Sequence, residues 1–307
     1  MITVYGTLCL DRLHQVPKLP RPGGYVEIAQ TELTLGGEAF NTYFSLHNWN
    51  HPTKFIPNSI GTSPEATTIN TLLHQLNFSL PLNFAPDQTT PICDIYVTPD
   101  GERTMFGIGF ATLGEYSNPQ DIELISGDWF TADPNLGTSS LRFAEAALQR
   151  GLRRYFMDFP LNGQSKPNYQ PTDIWQSSTD QFGTKGDLQA NLTLIEEAHQ
   201  QTNCFCILTD GKNGFVVCGS EQPATHYPPF RAENQIDSTG AGDCFRAGML
   251  HQLDSGAPIP EALAFAAAAA SLACQGLGAT TSIPSVQEVQ NLIQSQPQTL
   301  LTYRQLG

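Results

Sequence analysis

The sequence predicts an α/β protein, a three-layer α/β/α sandwich with a mainly parallel central sheet and a small β-sheet lid. Three observations lead to this prediction. Short β-branched runs alternate with helical patterns, which is typical of βαβ units. Two strand-rich segments interrupt that alternation. No linker or low-complexity tract divides the chain, so residues 1–307 are expected to form a single domain.

The main sheet is expected to begin at the N-terminus and to be built from strands that alternate with helices. In chain order the runs are ITVYG (2–6), KFIP (54–57), the helical ATTINTLLHQL (66–76), DWFTAD (128–133), the helical SLRFAEAALQRG (140–151), RRYFMDF (153–159), the helical LTLIEEAHQ (192–200) and FCILTDG (205–211). The polar stretch 160–187 predicts a loop. Because ligands of such sheets bind beyond the carboxyl ends of the strands, residues that follow these strands are the first candidates for a site.

Two segments do not fit the alternation and predict a second sheet. Residues 92–110 contain two extended runs around Asp100-Gly101, a pair suited to a tight hairpin turn because both residues tolerate positive φ. Residues 12–35 are strand-like and punctuated by proline. We expect the two segments to form one small antiparallel sheet, a discontinuous lid subdomain over roughly 12–35 and 90–110 that closes over a site at the strand ends.

Composition argues against several classes of function. The net charge of −14, without a basic stripe, argues against nucleic-acid binding. The longest apolar run is shorter than the roughly 18 residues of a membrane span, and the N-terminus does not resemble a signal peptide. The 7 cysteines are scattered without a CxxC pair, which argues against a disulfide framework and favours a cytoplasmic protein.

The stretch DSTGAGDCF (237–245) is the strongest single candidate for chemistry. Gly240, Ala241 and Gly242 would let a ligand approach the backbone, and the helical pattern that follows presents its positive end to an anion. Asp243 lies in the first turn of that helix, where a carboxylate repels phosphate unless it has another task. Accepting the proton of an attacking hydroxyl is such a task. From the spacing alone, a purely structural glycine turn is an equally good interpretation.

The turn matches without a mismatch the signature D-[ST]-x-G-A-G-D-x-F of the ribokinase/PfkB family of carbohydrate and nucleoside kinases, which this chain resembles over nearly its whole length. The resemblance implies a ribokinase-like fold. It also implies that Asp243 is the catalytic base, which activates the acceptor hydroxyl toward the γ-phosphate of ATP. The anion hole would then be formed by Gly240, Ala241 and Gly242.

Two motifs near the N-terminus match the substrate-binding elements of the family. YGTLCLD places Asp11 beyond the first strand, and GGEAFN matches G-G-x-x-x-N with Gly36, Gly37 and Asn41. The resemblance implies that these residues bind sugar hydroxyls. This suits a carboxylate that accepts two hydroxyl protons and an amide that both donates and accepts. Taken alone, Asp11 also fits a strand-end cap, and the glycines also fit the start of a helix.

Two further stretches resemble the lid and the nucleotide loop of the family. PDGERT (99–104) looks like the lid hairpin, in which Arg103 either contacts substrate or is solvated, and through which two lids can meet in a homodimer. FCILTDGKNG (205–214) resembles the strand and glycine loop near the nucleotide phosphates. The nucleotide-binding residues implied there are Thr209, Gly211 and Gly214.

The resemblance implies ATP and Mg²⁺ as cofactors and allows K⁺. Family members bind a monovalent cation through carboxylate, hydroxyl and carbonyl oxygens, a donor set that favours a hard ion. The corresponding residues in this sequence are Asp237, Thr239, Gly278 and Ser282.

The middle of the chain departs from the family pattern. The family's N-x-x-E, whose glutamate helps to organise magnesium, becomes Ser177-x-x-Asp180, so that Asp180 is the Mg-linked candidate. The family's D-p-N matches either Asp133 by its letters or Asp158 by its position in the order of elements. The departure motivates the alternative of a catalytically weak protein of the same fold.

The sequence therefore predicts an ATP-dependent kinase that transfers the γ-phosphoryl group to a hydroxyl of a sugar or sugar-like small molecule. Two alternatives stay open. One is a nucleoside kinase of the same fold, and the other is a catalytically weak, ribokinase-like ligand-binding protein. A small-molecule partner is expected, and neither nucleic acid nor a membrane is. The aromatic candidates for stacking a nucleobase are Tyr25, Phe40, Tyr96 and Phe106.

Overall fold

The computed structural model describes residues 1–306, which contain two β-sheets and eight α-helices. The strands are β1 (Ile2–Gly6), β2 (Cys9–Gln15), β3 (Gln30–Gly36), β4 (Thr53–Pro57), β5 (Ile92–Val97), β6 (Arg103–Ile108), β7 (Trp129–Ala132), β8 (Arg153–Met157), β9 (Ile174–Ser178), β10 (Phe205–Thr209), β11 (Phe215–Gly219) and β12 (Gln222–Tyr227). The helices are α1 (Glu38–Asn48), α2 (Pro64–Gln75), α3 (Thr138–Gln149), α4 (Leu188–Thr202), α5 (Ala241–Asp254), α6 (Ile259–Ala273), α7 (Val286–Ser295) and α8 (Pro297–Leu306).

The central sheet has the strand order β12-β11-β10-β9-β8-β7-β1-β4, and its strands from β10 to β4 are parallel. Helices cover both faces, and β1 shows why. Successive side chains of a strand point to opposite faces, so Val4 packs into the core formed with α1, α5 and α6, while Tyr5 stacks on Phe143 of α3. The expected three-layer α/β/α arrangement with a mainly parallel sheet is confirmed.

The second sheet has the order β3-β2-β5-β6 and joins the two segments that interrupt the alternation. Its β2–β3 and β5–β6 pairs are antiparallel, as expected for hairpin-like segments. The central β2–β5 pair is parallel, which the sequence analysis did not anticipate. The reason is connectivity: β3 is followed by α1, β4 and α2 before β5 begins, so β2 and β5 are not joined by a hairpin.

Strand β9 was missed by the sequence analysis, because it lies within the polar stretch 160–187. Its polar side chains are nevertheless buried and paired. Gln176 accepts a hydrogen bond from the Tyr155 hydroxyl at 2.7 Å and donates one to the Gly242 carbonyl oxygen at 3.1 Å. Burial of paired polar groups hides a central strand from any pattern based on hydrophobicity.

Helices α5 and α6 pack closely, which fixes the position of the α5 N-terminus. A Cβ added to Gly248 of α5 would lie 2.7 Å from the Ala266 Cα of α6, so the glycine and the alanines of α6 permit this approach.

Although α6 is rich in alanine, none of the helices within residues 1–306 is both long and apolar enough to cross a membrane.

A histidine pair lies at the amino ends of β1 and β4. His51 Nε2 donates to Asp254 Oδ2 at 2.7 Å, and His51 Nδ1 shares a hydrogen bond with His251 Nδ1 at 3.0 Å. Burial, together with the neighbouring His51, lowers the pKa of His251 to about 4, although Asp254 acts in the opposite direction. The unfolded chain therefore binds a proton at this site at pH values where the folded chain does not.

This difference predicts that the protein loses stability on acidification. Since the pKa of His251 falls from 6.5 to about 4 on folding, its contribution is complete above pH 6.5 and is lost as the pH falls toward 4. Allowing for solvent screening of a partly exposed ring, we expect about 1–2 kcal/mol of loss. Urea titrations from pH 7 to pH 4 measure it. His251→Asn should remove this part of the pH dependence, whereas the exposed-site control His74→Asn should retain it.

Candidate active site

A cavity of about 900 Å³ opens at the carboxyl ends of the parallel strands. It is lined by residues that follow β1, β8, β9 and β10, by the first turns of α1 and α5, and by the inner face of the small sheet. Strand β1 pairs with β4 on one side and β7 on the other, so the order of the strands reverses there. Such a switch point at the carboxyl ends is where open α/β sheets bind ligands.

Asp243 lies in the first turn of α5 with its side chain only 9% exposed. Asn41 Nδ2 donates to Asp243 Oδ2 at 2.8 Å, whereas Oδ1 accepts no hydrogen bond among the described residues. Burial raises the pKa of Asp243, although the Arg246 guanidinium and the Asn41 amide act in the opposite direction. The structure thus brings together two residues that the sequence analysis selected independently, and both line the cavity.

The turn before Asp243 presents the positive end of α5 to the cavity. Gly240 has φ 77°, and a Cβ added there would lie 2.4 Å from the Ala279 Cβ, so only glycine fits. The Ala241 N–H donates to the Ser238 carbonyl oxygen at 3.2 Å. The N–H groups of Gly242 and Asp243 have no acceptor within the helix because they belong to its first turn. These two groups are oriented as in an anion-binding helix terminus.

Asp11 lies on β2 and lines the cavity, although it is almost fully buried. The Cys9 thiol donates to Asp11 Oδ1 at 3.2 Å, and burial raises the pKa of Asp11 to about 7. Gly37 also lines the cavity, but Gly36 does not. A Cβ at Gly36 would lie 2.0 Å from Asp11 Oδ2, so Gly36 is required for the position of Asp11 rather than for contact with the cavity.

Arg103 connects the small sheet to the turn that precedes α5. Its Nη1 donates to Ser238 Oγ at 2.5 Å, and its side chain lines the cavity. Next to it, Lys185 Nζ lies 2.9 Å from Glu102 Oε1. The β5–β6 hairpin is thereby joined to loops at the carboxyl ends of the main sheet.

The loops after β9 and β10 form the other end of the cavity. Thr209 Oγ1 donates to the Ser177 carbonyl oxygen at 3.2 Å, and Gly211 and Gly214 line the cavity as well. The Asp210 carboxylate accepts hydrogen bonds from Thr179 Oγ1 at 2.9 Å and from the Gly186 N–H at 3.0 Å. Asp210 therefore holds the two loops together, a role that the sequence analysis missed because its donors are distant in sequence.

Three of the four residues proposed for a monovalent cation are in contact. Asp237 Oδ1 accepts hydrogen bonds from the Thr239 N–H at 2.9 Å and from Thr239 Oγ1 at 2.7 Å, while Oδ2 accepts one from the Gly278 N–H at 2.8 Å. Ser282 packs against Gly276, where an added Cβ would lie 1.9 Å from its Oγ. Within residues 1–306, no group of three or more His, Cys, Asp or Glu side chains is arranged to hold a metal ion.

Asp158 and Asp133 occupy different environments. Asp133 is fully buried, does not line the cavity and accepts a hydrogen bond from the Thr7 N–H at 2.8 Å. Asp158 follows β8, has φ 57° and lines the cavity, where Ser177 Oγ donates to its Oδ1 at 2.6 Å. Asp180 also lines the cavity and lies 3.7 Å from Lys185 Nζ. Of the two aspartates that fit the motif, only Asp158 reaches the cavity.

This chain is similar in sequence and in fold to known kinases. Residues 175–286 match the pfkB family carbohydrate kinases. An uncharacterized sugar kinase of Dictyostelium discoideum is 27% identical over 345 residues, covering 95% of this chain and 97% of that protein. A nucleoside kinase of Methanocaldococcus jannaschii is 24% identical, covering 94% and 95%. The structure of a Cryptococcus neoformans ribokinase in complex with ADP has the same fold, with a TM-score of 0.78 at 20% identity over 94% of this chain and 98% of that one.

The family match and the kinase relatives imply a phosphotransferase whose acceptor is a hydroxyl group. Residues 175–286 thus carry the match to the pfkB family carbohydrate kinases, and the relatives that span nearly the whole chain are named as sugar and nucleoside kinases.

Proposed function

We propose that this chain transfers the γ-phosphoryl group of ATP to a hydroxyl of a sugar or sugar-like small molecule, with Asp243 as the general base. The observation that carries the proposal is that Asn41, Asp243 and the N-terminus of α5 meet in one cavity, with Asn41 Nδ2 2.8 Å from Asp243 Oδ2. A hydroxyl bound beside Asp243 would lose its proton to the carboxylate. Phosphoryl transfer needs this arrangement of positioning and charge.

The charges of the cavity support a nucleotide at one end. Besides Arg103, three cationic side chains line the cavity among the described residues. Lys185 lies in the loop after β9, Lys212 in the loop after β10, and Arg231 in the segment before α5. We place the phosphates of ATP at the end of the cavity that these loops form. The N–H groups of Gly242 and Asp243 would bind the oxygens of the transferred group, as at other helix N-termini.

The other end of the cavity supports a neutral, hydroxyl-rich acceptor. Asp11, Glu38 and Asn41 line it, and its one cationic side chain among the described residues, Arg103, is already bonded to Ser238. Carboxylates repel a phosphorylated or acidic sugar but accept hydrogen bonds from hydroxyls. None of the four aromatic residues suggested for stacking a nucleobase lines the cavity, and its aromatic lining residues are instead Phe110, Phe215, Phe230 and Phe245.

We further propose that the small sheet acts as a lid and that two ions assist transfer. Bound Mg²⁺ would neutralise phosphate oxygens, and Asp180 supplies a cavity-lining carboxylate of the kind that holds Mg²⁺ beside substrate phosphates. K⁺ would use the oxygens of Asp237, Thr239 and the Gly278 region, which suit a hard cation. Ser282 would join them only after a shift of its loop, since it now packs against Gly276.

A homodimer through the outer face of the lid sheet is also proposed. Leu33, Phe106 and Ile108 are exposed on the face opposite the cavity, and burying such side chains between two copies would be favourable. Sedimentation equilibrium tests this proposal directly. We keep the expectation of a cytoplasmic location, which the 7 free cysteine thiols support.

The proposed function is tested by ADP release from ATP and Mg²⁺ across a panel of neutral sugars, sugar acids, sugar phosphates and nucleosides. We expect stimulation by a neutral sugar, little by acids or phosphates, and loss of the stimulation in Asp243→Asn. If nucleosides alone stimulate, the acceptor class is wrong. If no acceptor stimulates while calorimetry shows that ATP binds, the chain is a ligand-binding protein instead.

A further inference from the structure

Arg246 is a fully buried arginine one helical turn after Asp243 on α5. Its Nε donates to Thr42 Oγ1 at 2.9 Å, its Nη1 to the Ala132 carbonyl oxygen at 3.2 Å, and its Nη2 to the Glu38 carbonyl oxygen at 2.7 Å. The guanidinium thus joins α5 to the start of α1 and the end of β7. Planar guanidinium geometry, with five N–H donors, suits this multiple attachment.

The same guanidinium faces two carboxylates. Arg246 Nη2 lies 3.5 Å from Asp243 Oδ1, and Nη1 lies 3.4 Å from Glu38 Oε1. Glu38 comes from the first turn of α1 and also lines the cavity. Two carboxyl groups therefore share one buried cation, so that the ionisation of either carboxyl disfavours that of the other.

The charged groups around Asp243 come from four elements. Glu38 lies on α1, Asp133 follows β7, Asp158 follows β8, and Arg246 lies on α5 itself. Asp158 and Asp133 favour the protonated form of Asp243, and Arg246 is the cation that favours the ionised form. Asp243 in turn favours the protonated form of Glu38. Burial raises the pKa of Glu38 as well, with Arg246 acting against that rise.

We propose that Arg246 and Glu38 are positioning residues for Asp243: the guanidinium holds Asp243 as the anion that accepts the acceptor proton, and Glu38 limits this effect by sharing the cation. The inference deepens the proposed function and rests on Asp243 acting as the general base. It adds that two opposing charged groups, Arg246 and Glu38, set the pH at which kcat falls on the acid side of its pH profile, the acid limb.

The test is the pH dependence of kcat, using the acceptor found by the panel. Arg246→Met removes the cation and should move the acid limb upward by about one pH unit or more, because an ion partner at this distance shifts a carboxyl by about that amount. Glu38→Gln removes the competing anion and should move the limb downward. Arg246→Lys keeps the charge and should leave the limb closer to that of the wild type, even if kcat falls.

A matched control separates this role from the loss of any buried arginine. Arg154 is also fully buried and pairs with Asp173 away from the cavity, so Arg154→Met should lower stability without moving the limb. If Arg246→Met does not fold, Glu38→Gln decides alone. A limb that stays in place or moves upward in Glu38→Gln overturns the inference. If Asp243→Asn itself keeps wild-type turnover, the general-base role has failed instead, which is a distinguishable result.

Discussion

Replacing Asp243 by asparagine is expected to lower kcat by at least about a hundredfold, the lower end of general-base catalysis. The substitution keeps the shape of the side chain, and an amide oxygen can still accept the hydrogen bond from Asn41 Nδ2, so the cavity should keep its geometry. It removes the group that accepts the proton. Steady-state turnover measures the loss, while calorimetry with ATP should give an affinity close to that of the wild type.

Asn41→Asp is a useful companion to that variant, because it changes the partner of Asp243 and keeps Asp243 itself. Two carboxylates would then face each other where the Asn41 amide now donates, so one of them would stay protonated near neutral pH.

A defect in Asp243→Asn that appears entirely in ATP binding, with kcat unchanged, would contradict the proposed role of the aspartate.

Alanine at Gly240 is expected to lower stability, whereas alanine at Gly242 is expected to leave stability nearly unchanged and to weaken ATP binding. Gly240→Ala places a Cβ 2.4 Å from the Ala279 Cβ in a left-handed conformation, which we expect to cost at least about 2 kcal/mol of stability. Gly242→Ala meets nothing nearer than Gln176 Nε2 at 3.7 Å and lies in a helix, so its stability should change by less than about 1 kcal/mol. Chemical denaturation of the two variants measures this difference.

The second part of this prediction concerns nucleotide binding. If a phosphate approaches the backbone at Gly242, the added methyl group would block it, and the affinity for ATP should fall by at least about tenfold, the equivalent of one charge-assisted hydrogen bond. Calorimetry of the folded Gly242→Ala protein provides the number. Unchanged ATP affinity in this variant would mean that the phosphates lie elsewhere in the cavity.

The fold was predictable because its signal is local. Alternating strands and helices and the Asp100-Gly101 hairpin turn each depend on a few neighbouring residues, and the structure contains the corresponding elements. Strand β9 was not predictable in this way, since its buried polar side chains are satisfied by partners from other elements. The parallel β2–β5 pairing was hidden for the same reason: it depends on where the chain returns after α2.

The site was predictable only where a motif is continuous in sequence. Asp11, Asn41 and Asp243 each belong to such a motif, and all three line the cavity. Arg246 and Glu38 gave no signal of their own, because a charged residue in a helix is usually solvated, and only the packing of α1 against α5 buries this pair. A buried counter-ion is a property of tertiary structure.

Transfer of ³²P from γ-labelled ATP to the acceptor tests the central proposal most directly. The acceptor is the compound that stimulates ADP release, and the wild-type protein is compared with Asp243→Asn. We predict that the label appears on an acceptor hydroxyl in proportion to the ADP formed, and that Asp243→Asn, with ATP bound, leaves it on ATP. Label released as inorganic phosphate at the same rate with and without acceptor would contradict a sugar kinase with Asp243 as its base.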